Sequence, residues 1–404
     1  MKFLHIADCH LGCWRNEKIE ELSIKAFEKA LDIGIQNNVD FVLISGDLFD
    51  TPMPPLNIVI RAIDKLREVK KNGIKIYTVA GSHDIAHNIG IINLLEASEI
   101  VKNVDFKKSQ NLDNFIENFD EEVLIIGVAG KRNSLELEDI DQFKDFLEKN
   151  EKRIKKIKKI ILLHSTVKEF LDGLLIQIQK SVSMKELPKA DYYALGHLHV
   201  IKVEKNFAYP GPIFPTNFEE LERLRQGNCF IVELQEEKVK ITNFPLEVIN
   251  VKNLYFSADK KNPFKLTQEI LENITPDFKD KLVTLRIEGV LEEGTVSQIE
   301  FDTINKAFNN IGAILLKNIS KLSSKAMIME EPPSGESIKE IETSLLKDET
   351  KSEVIKELMI ILDKEKAEGE TNSVFEERLL NELKAKENLI IKMFKSKTKN
   401  KNDN

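Results

Sequence analysis

A layered α/β sandwich of strands and helices, followed by a small α+β capping domain and a C-terminal helical tail, is predicted by three features of this 404-residue sequence. Short apolar runs rich in β-formers alternate with amphipathic helical segments over residues 1–225. Residues 246–325 change character and contain no histidine. The paired prolines and glycine of EEPPSG, residues 330–335, then break the chain before a charged, helix-prone stretch. The expected divisions are 1–245, 246–328 and 329–404.

Taken in order, residues 3–7 read as the first strand, and residues 20–37 as a helix with Ile24, Phe27, Leu31 and Ile35 on one face. Residues 41–45 form a second strand, which leads through Pro52, Pro54 and Pro55 to a helix over 56–72 that Gly73 stops. A third strand, 75–80, leads through GSHD to a helix over 89–98. Strands at 123–128, 160–163 and 192–195, with a hairpin through 202–209, complete the α/β part, and GNCFIVELQ at 227–235 begins a further strand. The second region reads as helix 267–273, strand 282–288, helix 296–309 and strand 314–319. With few catalytic residue types, it is suited to shaping or covering a site. In the tail, Ser337 with Glu340, Thr350 with Glu353, and Ser373 with Glu376 are capping-box signatures. The stripes they start, Val354, Ile355, Leu358 and Leu362, then Phe375, Leu379, Leu380 and Leu383, need a partner surface, because so short a tail has no core of its own.

Composition bounds the function. Apolar residues make up 42% of the chain, ample for a core, and no apolar run approaches the length of a membrane span. His5 and Asp8 interrupt the start, which therefore reads as a strand rather than a secretory signal. Three cysteines without metal-type spacing indicate a reducing, cytoplasmic setting. A net charge of −8 gives no overall attraction for nucleic acid, so contact with DNA must come from local patches and metal ions. The lysine runs at 152–159 and 395–401 read as solvated faces or tails.

The histidines carry the chemistry. Only seven are present, and most follow strands: His10 in HIADCHLG, His83 in VAGSHD, His164 in IILLHS, and His197 with His199 in YYALGHLH. Asp8, Asp47 and Asp84 stand at matching points. A lone histidine there is most often structural, as His5 and His87 read, but five ends repeating one pattern point to a metal centre. In an extended chain His197 and His199 would present both imidazoles to one side. Such strand ends are where α/β folds gather their sites. Two divalent ions about 4 Å apart can clamp a phosphodiester and activate water. A mixture of Asp and His suits Mn²⁺, Fe²⁺ or Zn²⁺. His83, its tautomer fixed by Asp84, is left to act on substrate.

D-x-H, GDLFD, G-x-HD, a strand-end histidine and GHLH, in this order, resemble the calcineurin-like metallophosphoesterase superfamily. Within it, HIADCHLG, ISGDLFD, YYALGHLH and the following AYPGP are similar to the SbcD-type, or meiotic recombination eleven, nucleases. The resemblance is dense over residues 1–215 and extends to the domain order beyond. It implies Asp8, His10, Asp47 and His199 on one ion, and Asp47, His164 and His197 with residue 82 on the other. It also implies leaving-group assistance by His83, with Asp84 beside it, and two divalent ions, with Mn²⁺ the expected metal. The family dimerises through helices corresponding to 56–72 and 89–98, which makes Val59, Ile60, Ile63, Leu66, Ile92 and Leu95 interface candidates alongside ordinary core burial. Its C-terminal helices grip an SMC-like ABC ATPase of the SbcC type. One position departs: the family's G-N-H-D is Gly81-Ser82-His83-Asp84 here, so a hydroxyl stands where an amide oxygen would bind the second ion.

The implied function is a Mn²⁺-dependent nuclease of double-strand break repair, an exonuclease on duplex DNA ends and an endonuclease on single strands. A small-nucleotide phosphoesterase would keep the same centre but leave the linker and tail without a use. A non-catalytic DNA-end-binding scaffold is the reading in which Ser82 has cost the second ion.

Overall fold

The computed structural model describes residues 1–85, 90–171, 180–235 and 238–325. His87 and the tail's capping boxes and stripes lie outside these residues. Residues Met1–Ser323 form one compact unit.

The first sheet is built from β1 (Lys2–Ile6), β2 (Phe41–Ser45), β3 (Lys75–Val79) and β4 (Lys102–Asn103), paired in parallel. Parallel neighbours need crossovers, supplied by α1 (Glu17–Gln36), α2 (Leu56–Lys71) and α3 (Ile91–Ala97). The second sheet holds β5 (Ile116–Asn118), β6 (Glu122–Val128), β7 (Lys158–His164), β8 (Tyr192–Gly196), β9 (Lys202–Glu204) and β10 (Phe207–Tyr209), with α4 (Asp139–Lys149) between β6 and β7. Its order is β5-β6-β7-β8-β10-β9, with β6, β7 and β8 parallel. After α5 (Phe218–Leu224), β11 (Gly227–Leu234) and β12 (Val239–Leu246) return to the first sheet, giving β12-β11-β1-β2-β3-β4.

Side-chain alternation explains the layers. Phe3, Phe41, Leu43, Tyr77 and Val79 point into the core between the sheets, where the Phe3 and Phe41 rings stack at 4.9 Å. Their neighbours Leu4, Ile6, Val42, Ile44 and Ile76 pack instead with Phe27, Leu31, Ile58 and Leu66 of α1 and α2. Strands buried on both faces must be apolar throughout, which is why these segments show no polar alternation. The layered sandwich is therefore the one expected.

The second region is built on a four-stranded sheet, the third of the molecule. β13 (Val251–Ser257), β14 (Leu282–Leu291) and β15 (Ile314–Asn318) run parallel, and β16 (Leu322–Ser324) pairs with β14. The helices α6 (Pro263–Glu272) and α7 (Phe301–Asn310) pack on it through Leu266, Ile270, Ile304 and Phe308. An apolar cluster of Ile19, Leu22, Ala26, Phe214, Leu221, Val251 and Leu282 joins it to α1 and α5. The helix expected over 296–309 is instead a 3-10 turn, Val296–Gln298, followed by α7, because Thr295 caps the turn separately.

Burial also corrects the interface candidates. Val59, Leu66, Ile92 and Leu95 are core residues, and Ile63 packs partly against them. The apolar side chains presented outward on and beside α2 and α3 are Met53, Leu56, Ile60 and Leu94.

Candidate metal centre

The carboxyl ends of β1, β2, β3, β7 and β8 deliver the histidines and aspartates to one place. The loops after β1 and β2 stay paired, with Asp8 N donating to Gly46 O at 3.1 Å and His10 N to Asp47 O at 2.9 Å. Asp8, His10, Asp47 and His197 all have positive φ, of 51°, 43°, 50° and 94°. Left-handed backbone is costly for residues other than glycine, and it bends each side chain inward off its strand.

Three ligand-like groups result, two of them more buried and a third, His10 with Asp50 and the exposed His83, beside them. Asp8, His10 and His199 bring one oxygen and two ring nitrogens within 4.8 Å of one another, and Asp47, His164 and His197 do the same. His197 and His199 therefore part company. The expected extended chain with both imidazoles on one side is wrong, because the positive φ at His197 turns the backbone between them. Asp47 stands between the groups: its Oδ2 lies 3.0 Å from His164 Nε2 and 3.7 Å from His10 Nε2. His10, Asp47, Ser82, His83, His197 and His199 line a common open pocket of about 310 Å³.

Around these groups, further contacts fix each ring. His164 Nδ1 donates to Ser45 O at 2.8 Å, His199 Nδ1 faces Glu220 Oε1 at 2.7 Å, and His10 Nδ1 faces Asp50 Oδ1 at 3.1 Å. Each arrangement leaves Nε2 for a ligand, the usual outer support of a metal-binding histidine. Asp8 Oδ1 accepts from His197 N at 2.8 Å, and Asp47 Oδ1 from His83 N at 2.7 Å. Close approach requires glycine at two points: a Cβ on Gly196 would lie 1.9 Å from Ser45 O, and one on Gly81 2.2 Å from Asp47 Oδ1.

The expected pairing of Asp84 with His83 is not found. Asp84 is buried and accepts from the backbone N–H groups of Leu48, Phe49 and Gly81 at 3.2, 3.1 and 3.0 Å. It ties the β2 and β3 loops together. His83 is about half exposed, and its Nδ1 meets the Asp50 carbonyl oxygen at 2.8 Å. Asp50, not Asp84, is its partner. His5 is structural as expected, buried between Tyr192 OH at 2.8 Å and Ser45 Oγ at 3.1 Å.

Electrostatics follow from this packing. Burial alone would lower His164, but the charge of Asp47 beside it carries it up to about 10. Against the same burial, His164 and His10 hold Asp47 well below the usual carboxylate range. Burial and the second histidine lower His197 to about 4. Asp84 is pushed up to about 6 by burial and by the charge of Asp47. Glu220 resists its own burial and falls to about 2 beside His199.

Three buried polar atoms of this cluster, Asp8 Oδ2, His10 Nε2 and His164 Nε2, have no hydrogen-bond partner. His164 Nε2 is close to Asp47 without the geometry of a hydrogen bond. Buried polar atoms are ordinarily satisfied, so three orphans spread over these two neighbouring groups fit cations there. The donor set of carboxylate oxygen and imidazole nitrogen suits borderline divalent ions.

The family model described as calcineurin-like phosphoesterase matches residues 1–201, the segment that carries all these ligands. Residues 1–201 form a domain of that family. Among similar proteins, the DNA double-strand break repair protein Mre11 of Archaeoglobus fulgidus is 26% identical, the match covering 94% of this chain and 85% of that one. The Methanocaldococcus jannaschii protein of the same name is 25% identical over 74% of this chain and 84% of its own. That of Methanococcus maripaludis is 26% identical over 73% and 87%.

Two residues of this site escaped sequence reading. Asp50 lies in the GDLFD stretch and was available as a second carboxylate three residues beyond Asp47. Glu220 gave no local signal, because its contact with His199 spans 21 residues.

Proposed function

We propose that this chain is a metal-dependent nuclease of DNA double-strand break repair, cutting phosphodiesters as an exonuclease on duplex ends and an endonuclease on single strands. The observation that carries the reading is the pair of Asp and His groups meeting at Asp47, with His83 at the rim of the same pocket. The likeness to proteins named for double-strand break repair over most of the chain supports DNA as the substrate.

Asp8, His10, Asp47 and His199 would hold one divalent ion, and Asp47, Ser82, His164 and His197 the other, with Mn²⁺ the preferred metal. When bound, the ions supply Lewis-acid activation of water and neutralise charge on the phosphodiester. The protein's own part is to fix the ligands through Glu220, Asp50 and the Ser45 carbonyl, so that little reorganisation is left for the reaction. Since a carbonyl can only accept, His83 Nδ1 must carry the proton in that bond, and Nε2 remains to meet substrate, where in the imidazolium form it would donate its own proton to the leaving oxygen. Asp84 contributes by holding the two loops rather than by touching His83.

The wider assembly follows the family resemblance. The outward face of Met53, Leu56, Ile60 and Leu94 suits a homodimer contact. Residues 246–328 would cap the 1–245 nuclease part, and the tail at 329–404 would dock the coiled coil of an SMC-like ATPase. Among the described residues no helix is long and apolar enough to cross a membrane. The unpaired cysteines Cys9, Cys13 and Cys229 suit a cytoplasmic protein.

The test is cleavage of end-labelled duplex DNA by the purified chain with Mn²⁺, Mg²⁺ or EDTA. Mn²⁺-dependent cutting is expected. Turnover of a small phosphodiester without DNA cleavage would transfer the site to a nucleotide phosphoesterase. DNA binding with neither activity would make the chain an end-binding scaffold, the outcome that Ser82 at the second group favours.

A further inference from the structure

We propose that α5 is a mechanical link through which the third sheet sets the orientation of His199, so that the hold on a divalent ion depends on how that sheet is seated. The inference rests on the metal centre proposed above and adds a control over it.

Three neighbouring side chains on this seven-residue helix reach in two directions. Towards the centre, Glu220 Oε1 holds His199 Nδ1 at 2.7 Å, while its Oε2 accepts from Thr216 N and Oγ1 at 2.9 and 3.0 Å. Arg223 Nη2 donates to the His199 carbonyl oxygen at 3.2 Å. Both the ring and the backbone of one ligand are therefore fixed from α5. Towards the third sheet, Glu222 accepts from Arg286 of β14, Oε1 from Nε at 3.1 Å and Oε2 from Nη2 at 2.6 Å. The same guanidinium sits 5.1 Å from the Phe218 ring centre, and Asn253 Nδ2 of β13 donates to the Glu222 carbonyl oxygen at 2.9 Å. Leu221, between the charged residues, is buried against Val251 and Leu282.

A bidentate carboxylate–guanidinium pair fixes direction as well as distance, and the Arg286 side chain is only 14% exposed. A short helix clamped this way moves with the sheet that clamps it. Any shift of β14 displaces Glu220 and Arg223 as a unit and turns the His199 imidazole. By thermodynamic reciprocity, an ion bound through His199 must in return steady β13 and β14. Ordinary packing of α5 would give neither effect once the fold is intact.

The experiment is Mn²⁺ titration calorimetry on the full chain, with amide hydrogen exchange followed in parallel over β13 and β14. Glu220→Ala should weaken Mn²⁺ binding about tenfold, the usual scale for losing an outer support, while Glu220→Gln retains an acceptor and most of the affinity. Arg286→Met should weaken binding by about three- to tenfold through one more intervening contact. Mn²⁺ should slow exchange in β14 of the wild type but not of Arg286→Met. Glu222→Gln is measured beside it, because it loosens the same pair without removing the guanidinium. If the wild type binds Mn²⁺ while Arg286→Met and Glu222→Gln keep full affinity and full protection, the link is refuted and the metal centre stands. If the wild type binds no Mn²⁺, the metal-centre reading falls, and the link with it.

Discussion

His83 Nδ1 and the Asp50 carbonyl oxygen are 2.8 Å apart, while the Asp50 carboxylate reaches His10 at 3.1 Å, so one residue positions both His10 and the half-exposed His83 of the pocket. His83→Ala should leave Mn²⁺ affinity close to wild type and reduce cleavage by about 10²- to 10⁴-fold, the range of lost proton-transfer assistance. Calorimetry and cleavage rates on the same preparation decide the matter. Parallel loss of metal would show that His83 belongs with the ligands.

Asp84 should behave differently. Its carboxylate accepts three buried backbone N–H groups. Asp84→Ala would leave them without that acceptor, at a cost on the order of 3 kcal/mol. A lowered melting temperature is expected, with Mn²⁺ binding weakened as the Gly81 turn loosens. Unchanged stability alongside lost activity would restore a direct catalytic part.

At Ser82 the side chain is shorter than the amide it replaces in the family pattern. Ser82→Asn should tighten the weaker of two Mn²⁺ binding steps and change the rate little once metal is saturating. Should cleavage rise strongly even at saturating metal, the natural site would be catalytically impaired.

Protonation of His164 gives a pH signature. With its folded value raised to about 10 from 6.5, the metal-free protein keeps this ring charged at neutral pH. Its contribution to stability is fully present below 6.5 and is lost as pH rises towards 10. The metal-free melting temperature should therefore fall over that range. Since an ion must displace the proton, Mn²⁺ affinity should rise with pH and binding should release protons. Titrations in buffers of differing ionisation enthalpy measure the release, and no buffer dependence would contradict it.

Gly196→Ala should be severe. The added carbon would lie 1.9 Å from Ser45 O, the acceptor that fixes His164. A loss of about 3 kcal/mol or more is expected from forced backbone movement, together with loss of metal binding. Thermal unfolding of the metal-free variant separates the two effects.

Much of this was legible in the sequence because it is local. Strands buried on both faces announce themselves as apolar runs, and β2 falls on residues 41–45 as expected. The residues that form the two groups could be named because each sits at, or within four residues of, the end of a strand. What sequence reading missed depends on distance or on backbone turning. Nothing near His197 foretold a positive φ, so the H-x-H pair looked like one chelate. Asp84 adjoins His83 in sequence, yet Asp50 holds it in space. The strand β12 was hidden because it is an edge strand with largely exposed side chains and a proline, Pro245, near its end. Nor could helical spacing tell core from surface on α2, where Val59 is buried and its neighbour Ile60 exposed.

The left-handed backbone at Asp8, His10 and Asp47 narrows what evolution can try at these positions. Outside glycine, that conformation is best tolerated by Asn, Asp and His, which overlaps with the side chains that bind divalent cations. Conformation and chemistry thus draw on the same small alphabet. A replacement such as Asp47→Asn keeps the turn while weakening the donor, so natural drift at these sites would dim the chemistry before it disturbed the fold.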